Sequence, residues 1–219
     1  MLYPTAFFAW SSGWSHPQDE VDDWDGAGIF ITGAHNIISD CHVAYSWGDG
    51  ISLAGEYNTI ENCLVEHANW AAIDCAPIGA SGSYNVIIGN TVRNGGRAGI
   101  VHYGLANSSM TYNNIYNVGL LTRDQGVTYT CNDDSATTTI AYNWVHDAYN
   151  GIGIYFDNYS ENFLVHHNVI WRCPTGIIAN NSLGIYHKDL KVIAKEIGFG
   201  SITEVSTSDS IEFLFCSIT

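Results

Sequence analysis

The chain has 219 residues, of which 46% are apolar and 13% are charged, a composition typical of one soluble folded domain. It carries 22 acidic and 7 basic side chains and a formal net charge of −15. That negative field repels nucleic acid and anionic lipid, so neither is expected as a partner. The sequence contains no run of 18 apolar residues, which is about the length needed to span a membrane. The cysteine spacing matches neither a zinc site nor a required disulfide framework.

Residues 1–25 are aromatic and acidic and precede any repeat, and we expect them to be a cap or the remnant of a longer N-terminal region. Their apolar start, MLYPTAFFAW, lacks the basic segment and cleavage site of a clear signal peptide. Residues 184–219 follow the last repeat and are expected to form a C-terminal cap or an irregular tail. A cap would cover the unpaired backbone groups at the end of a stack of repeats.

Residues 26–183 contain six copies of a short phrase, spaced 22 to 30 residues apart, in which Cys or Asn lies between two apolar positions. Repeats of this length indicate stacked units, because one copy cannot bury its apolar face alone. The copies are Ile38-x-x-Cys41-x-Val43, Ile60-x-x-Cys63-x-Val65, Ile87-x-x-Asn90-x-Val92, Met110-x-x-Asn113-x-Ile115, Ile140-x-x-Asn143-x-Val145 and Val165-x-x-Asn168-x-Ile170.

A second column of Gly-Ile or similar pairs alternates with these phrases. Each repeat therefore holds two or three short β-branched runs separated by Gly, Asn and Asp turns, without a helical period. This pattern predicts an all-β fold, a parallel β-helix of about six to seven coils. The pairs are Gly28-Ile29, Gly50-Ile51, Ala72-Ile73, Gly99-Ile100, Gly126-Val127, Gly153-Ile154 and Gly176-Ile177.

Segments such as NTIENCLVEH, NVIIGNTVRNGGRAGI and TTIAYNWVHDAYNGIGIYFDN resemble right-handed parallel β-helix proteins of the pectate-lyase-like class over residues 26–181. The resemblance implies that the Asn column forms an inward ladder at a tight turn, with Cys41 and Cys63 replacing Asn in the first two coils. We expect these two cysteines to be reduced core residues. The resemblance also implies that substrate lies along the outside of the strand that begins with Gly-Ile.

Loop lengths on that face locate the expected cleft over the third to sixth coils. The long loops are residues 76–84 and 131–138 after the strand and 116–124 before it, and variable loops on a regular scaffold usually form the binding wall. Simple alternation from Val127 sends Tyr129 inward together with His102. A one-residue offset that aligns Tyr129 with Tyr155 places Tyr129 in the cleft instead, and both registers remain open at this stage.

Three aspartates are the predicted catalytic residues: Asp124, Asp133 and Asp157. One coil of about 4.8 Å and up to two residues of about 3.3 Å separate Asp157 from the Asp133-Asp134 doublet, which gives roughly 8 Å. This separation leaves room for a water between acid and base, as in an inverting glycosidase. Asp124 is expected either to be a catalytic carboxylate or to pair with Arg97. The predicted substrate-binding residues are Asp74, Arg97, His102, Tyr129 and Tyr155.

Residues 26–175 contain no lysine and four arginines, whereas a lyase acting on a uronate polymer must neutralise a carboxylate with a cation. A glycoside hydrolase acting on a neutral or weakly charged polysaccharide is therefore the expected function, with no cofactor. The alternatives are a Ca²⁺-dependent polysaccharide lyase and a non-catalytic β-helix that binds glycan or serves as a structural module. The expected partner is a polysaccharide or oligosaccharide, and the expected location is extracellular or on the cell surface.

Overall fold

The computed structural model describes residues 27–180 and, by their backbone, residues 186–188, 191–193 and 212–213. The cap expected for residues 1–25 lies outside the described residues. Within the region expected to be a cap or tail, two strands, Tyr186–Lys188 and Lys191–Ile193, pair in parallel with the preceding coil.

The described chain is all β and forms a parallel β-helix with three sheets, as the repeat predicts. The first sheet contains β1 (Ile29–Ala34), β4 (Ile51–Glu56), β7 (Ile78–Ser83), β10 (Ile100–Ala106), β13 (Gly126–Cys131), β16 (Ile152–Asp157) and β19 (Thr175–Ala179). The second contains β2 (Ile37–Ser39), β5 (Thr59–Glu61), β8 (Val86–Ile88), β11 (Ser109–Thr111), β14 (Thr139–Ala141), β17 (Leu164–His166) and β20 (Tyr186–Lys188). The third contains β3 (His42–Ala44), β6 (Leu64–Glu66), β9 (Thr91–Gly95), β12 (Asn114–Val118), β15 (Trp144–Ala148), β18 (Val169–Trp171), β21 (Lys191–Ile193) and β22 (Glu212–Phe213).

The predicted Asn column is confirmed as an inward ladder between the second and third sheets. Each side-chain oxygen accepts the backbone N–H one coil earlier: the N–H of Asn90 donates to Asn113 and that of Asn113 to Asn143, both at 2.9 Å. Each side-chain amide also donates to a carbonyl, as Asn143 does to Met110 at 2.8 Å. Cys41 and Cys63 occupy the first two places as free thiols. The ladder satisfies buried polar groups that the corner leaves without strand partners.

A second ladder, which the repeat phrase did not reveal, follows the first sheet. The backbone N–H of Asn36 donates to Asn58 Oδ1 at 2.9 Å, and that of Asn58 to Asn85 Oδ1 at 2.8 Å. In the next coils hydroxyl oxygens are the acceptors: Ser108 Oγ accepts from the backbone N–H of Asn85, and Thr138 Oγ1 accepts from that of Ser108. Because Asn, Ser and Thr all supply an acceptor, the column changes residue type and its spacing is hard to see in sequence.

The corners are made by residues with positive φ, mostly Asn, Asp, His and Tyr. Only Gly adopts this region freely, and among other residues Asn, Asp and His are enriched there. At the corner after the second sheet, each successive coil places one positive-φ residue at the same position. These residues are Asp40, Asn62, Gly89, Tyr112, Tyr142 and His167. These residues turn the chain without a long loop, so successive coils stay in register.

Replacing Asn143 with Asp is expected to destabilise the protein by roughly 1 to 3 kcal/mol, because a buried charge replaces an amide donor and the carbonyl of Met110 loses its partner. Urea unfolding at pH 7 of the wild type and the variant measures this difference. The exposed amide Asn107 lies at another corner, outside the ladder, and its oxygen accepts a hydrogen bond from the Thr137 hydroxyl, which Asp can also do; Asn107→Asp is the matched control. Equal losses for the two variants would contradict the ladder's energetic role.

Candidate functional site

The structure decides between the two registers of the first sheet. β13 pairs with β16 so that Thr128 lies beside Ile154 and Tyr129 beside Tyr155. Simple alternation from Val127 to Tyr129 is therefore wrong and the offset register is correct, although Val127 itself is buried in the core. In the third coil Ile78, not Ile73, pairs with Ile51, because the strand begins five residues later. Tyr129 and Tyr155 consequently belong to the outer face.

His102, a predicted substrate-binding residue, lies inside the solenoid and is 0% exposed. It pairs in register with the inward Ala80, and its ring meets the edge of the Phe163 ring at 5.5 Å between centroids. Burial lowers the pKa of His102 to about 3, so the ring is neutral at ordinary pH. A substrate on the outer face does not reach this side chain.

Asp133, a predicted catalytic residue, is 4% exposed and binds backbone groups of the previous coil. β10 has a bulge between His102 and Leu105, and the carboxyl of Asp133 accepts hydrogen bonds from the backbone of Gly104 and Leu105 there. It also accepts a hydrogen bond from the Thr130 hydroxyl at 3.2 Å. Burial raises the pKa of Asp133 to about 6 despite these bonds. This environment assigns the carboxyl to stabilisation of the bulge.

Replacing Asp133 with Asn is accordingly expected to leave turnover within about twofold of the wild-type value, since a positioned acid or base would cost at least ~10²-fold. Turnover per folded molecule, with the folded fraction measured by circular dichroism, is the appropriate readout. A loss of ~10²-fold in a fully folded variant would return Asp133 to the catalytic group.

Asp157 lies at the end of β16 on the outer face and is 7% exposed. Its Oδ2 accepts a hydrogen bond from the Tyr129 hydroxyl at 3.0 Å. Its Oδ1 accepts one from the backbone N–H of Asn158 and one from the Asn180 side chain, both at 2.9 Å. Three donors from three coils therefore hold this carboxylate in one orientation.

The two tyrosines beside Asp157 remain neutral donors. Burial, and then the Asp157 carboxylate, raise the pKa of both Tyr129 and Tyr155 well above the ordinary value for a phenol. Their rings meet edge to face at 5.2 Å between centroids. Tyr129 is 5% exposed and Tyr155 is 9% exposed, so most of their ring surface packs against neighbours in a small outer cluster with Val101.

Asp124 is exposed in the loop before β13 and acts electrostatically on the same side chains as Asp157. Its charge contributes, after burial and Asp157, to the raised pKa of Tyr155 and of Cys131. The alternative in which Asp124 pairs with Arg97 is not observed, because Arg97 binds Asp74. Asp124 and Asp157 are thus the two predicted catalytic carboxylates that the fold brings to one region.

Asp74 and Arg97, both predicted to bind substrate, bind each other. Arg97 Nη1 donates to Asp74 Oδ1, and the Tyr103 hydroxyl donates to the same oxygen at 2.6 Å. The Arg97 guanidinium also lies 4.9 Å from the centre of the Tyr129 ring. These contacts join the loops before β7 and β10 to the outer face of the first sheet.

The loops before the first-sheet strands stack into a continuous wall through backbone hydrogen bonds. Asn69 N–H donates to Gly48 at 2.8 Å, Gly96 N–H to Ala68 at 3.1 Å and Leu121 N–H to Gly96 at 2.8 Å. The candidate residues extend from Asp74 to Asp157 along this side of the solenoid. The prediction of a long loop at residues 76–84 is wrong, because Ile78–Ser83 forms β7 and the longer connection in that coil precedes the strand.

Two residues of the site, Tyr103 and Asn180, were not predicted from sequence. Tyr103 follows the inward His102 and therefore faces outward, but its role depends on a partner 29 residues earlier. Asn180 comes one coil after Asp157, at the end of β19, and this 23-residue spacing was a usable signal. Among the described residues, no three His, Cys, Asp or Glu side chains converge as a metal site. The same part of the chain contains no helix with the length and apolarity needed to cross a membrane.

Comparison with known proteins agrees with this architecture. Residues 27–189 match the family profile described as a right-handed beta helix region. Searches of curated proteins and of solved structures gave no significant match. Because the profile covers more than half of the chain and the described strands repeat through it coil by coil, the protein belongs to the right-handed β-helix family.

Proposed function

We propose that the protein hydrolyses glycosidic bonds of a neutral or weakly charged glycan on the outer face of its first sheet. The observation that carries this proposal is the Asp157 carboxylate, which is nearly buried on an outward face and fixed by three hydrogen-bond donors. Removing a carboxylate from water is costly. Such an arrangement outside the core is typical of a functional group held ready for a ligand.

Two carboxylates are needed for glycoside hydrolysis, and Asp157 and Asp124 are the pair assigned here. Asp157, which its donors orient, faces the sugar as base or nucleophile. Asp124, at the exposed rim, exchanges protons with water and serves as the second acid or base. The Tyr129 hydroxyl orients Asp157, and the largely buried rings of Tyr129 and Tyr155 form the floor beneath that carboxylate.

The charge of the site favours a neutral glycan. The Arg97 cation is occupied by Asp74 and by the Tyr129 ring, and residues 26–175 contain no lysine. A uronate carboxylate would meet two negative charges, Asp157 and Asp124, which repel it, against one exposed cation, Arg123, in the same loop as Asp124. Because polysaccharides of this kind are met outside the cell, we also assign the protein to the cell surface or exterior.

The test is an assay of the purified full chain against a panel of neutral and uronate polysaccharides, with and without EDTA. Hydrolysis predicts new reducing ends, no absorbance from unsaturated uronates and activity that survives EDTA. An unsaturated product that EDTA abolishes would identify a Ca²⁺-dependent lyase instead. Saturable binding to a glycan without any product would identify a binding module.

A further inference from the structure

The six positive-φ residues at the corner after the second sheet form one outward column, and one of them is a glycine. Their φ values lie between 50° and 67°, so side chains at these positions point the same way. Their backbone N–H groups bond to the next coil, as those of Asn62 and Gly89 do at 3.2 and 3.1 Å. Successive members are therefore in register, about 4.8 Å apart. This corner column is Asp40, Asn62, Gly89, Tyr112, Tyr142 and His167.

The later half of the corner column is a stack of aromatic rings. The rings of Tyr112 and Tyr142 are nearly parallel, with 4° between their planes and 5.0 Å between their centroids. The centroids of the Tyr142 and His167 rings are 4.8 Å apart. Tyr112 begins the stack and is 61% exposed, so one face of its ring lies on Tyr142 and the other is turned toward Gly89.

Gly89 leaves an opening in the corner column between Asn62 and Tyr112. A Cβ atom placed on Gly89 would meet no atom within 4 Å beyond its chain neighbours, so this place is open. Asn62 and Tyr112 are two coil spacings apart, roughly 10 Å, and one ring inserted midway lies about 5 Å from each. The stack uses the same spacing between Tyr112 and Tyr142. The opening between Asn62 and Tyr112, with Gly89 as its floor, is called the slot below.

The two walls of the slot suit the apolar face and the hydroxyl edge of a sugar. The face of the Tyr112 ring carries negative partial charge, which attracts the weakly positive C–H groups on the apolar face of a pyranose. The opposite wall is the Asn62 amide, which donates to Asp40 Oδ1 at 2.6 Å and keeps an oxygen that can accept from a sugar hydroxyl. Asp40 and Glu61 place negative charge beside this wall, so an anionic ring is repelled.

We infer that the slot binds one pyranose unit of a neutral glycan. The slot lies at the corner between the second and third sheets, whereas the proposed catalytic residues belong to the first sheet and the loop before it. Binding in the slot holds the protein on the glycan and adds no step to hydrolysis. The inference therefore stands or falls separately from the proposed function.

An NMR titration of the purified full chain tests this inference. The probes are the methyl β-glycosides of glucose, galactose, mannose and xylose, with phenol as the aromatic comparison. The Tyr112 ring signals, identified by their loss in Tyr112→Asn, are expected to shift and saturate with at least one glycoside. No shift with any glycoside, while the hydrolysis assay still releases reducing ends, would overturn this inference alone. A saturable shift with phenol only would overturn it as well, and neither shift nor hydrolysis would overturn both proposals.

Filling the slot gives the sharper variant. Gly89→Tyr adds a ring of the kind that Tyr112 and Tyr142 carry at the same positive φ, and is expected to lower glycoside affinity at least ~10-fold without changing turnover. Gly89→Asn, which suits this φ, is the smaller second variant if Gly89→Tyr does not fold. Tyr84→Asn is the matched control, because Tyr84 is an exposed positive-φ tyrosine stacked on Tyr57 at another corner. Undiminished affinity in a folded slot variant, or an equal loss in the control, would overturn the inference.

Discussion

Replacing Asp157 with Asn is expected to lower turnover by at least ~10²-fold, the usual effect of losing a positioned acid or base. The fold should persist, because Asn keeps an oxygen for the Asn158 N–H and the Asn180 amide. Its NH₂ then faces the Tyr129 hydroxyl, which can accept a hydrogen bond as well as donate one. The measurement is the initial rate of reducing-end release, with circular dichroism to confirm folding.

Asp134→Asn is the matched control for this variant. Asp134 is an exposed aspartate of the preceding coil that caps a turn by accepting hydrogen bonds from Asn162 and from the Ala136 N–H. Its replacement should leave turnover unchanged, whereas Asp124→Asn should show a loss comparable with that of Asp157→Asn. Full activity in the folded Asp157→Asn protein would remove Asp157 from the catalytic assignment.

Replacing His102 with Leu is expected to abolish most of an acid-dependent loss of stability. The folded pKa of His102 is about 3 against an ordinary value of 6.5, because burial disfavours the charged ring. The stability that the neutral His102 contributes is therefore fully present above pH 6.5 and is lost progressively as pH falls toward 3. The full loss is on the order of 5 kcal/mol, and about 2 to 3 kcal/mol of it accrues by pH 4.5.

Urea unfolding at pH 8 and pH 4.5 measures this dependence in both proteins. Asp133 and Asp49 have the opposite sign, since burial raises the pKa of each to about 6 and their protonation stabilises the fold as pH falls below that value. Both carboxyls are present in wild type and variant, so they cancel in the difference. Parallel pH profiles for the two proteins would contradict the inward, unprotonated His102.

The corner ladder was predictable because one side chain type repeats at a fixed place in each coil. Asn90, Asn113, Asn143 and Asn168 each make the same bonds to the neighbouring coil, so the physical constraint recurs at each copy. The first-sheet register was harder to predict, because Gly126-Val127 looks like the other Gly-Ile pairs. In the structure Gly126 pairs with Ile152, and Thr128 takes the inward place.

The direction in which single side chains face was easier to predict than their contacts. Strand alternation placed Asp157 and Tyr155 correctly on the outer face, whereas the loop expected at residues 76–84 proved to contain β7. The burial of Asp133 depends on a bulge in the coil before it, and the pairing of Asp74 with Arg97 joins residues 23 positions apart. Such contacts arise from how loops fold over the sheet, which local periodicity does not report.

The most direct measurement of the proposed site is a crystal structure of the Asp157→Asn protein soaked with an oligosaccharide of the identified substrate. We expect a sugar unit between positions 157 and 124. Sugar bound only elsewhere, such as beside the exposed Trp144 on the third sheet, would contradict the assignment of function to the outer face of the first sheet.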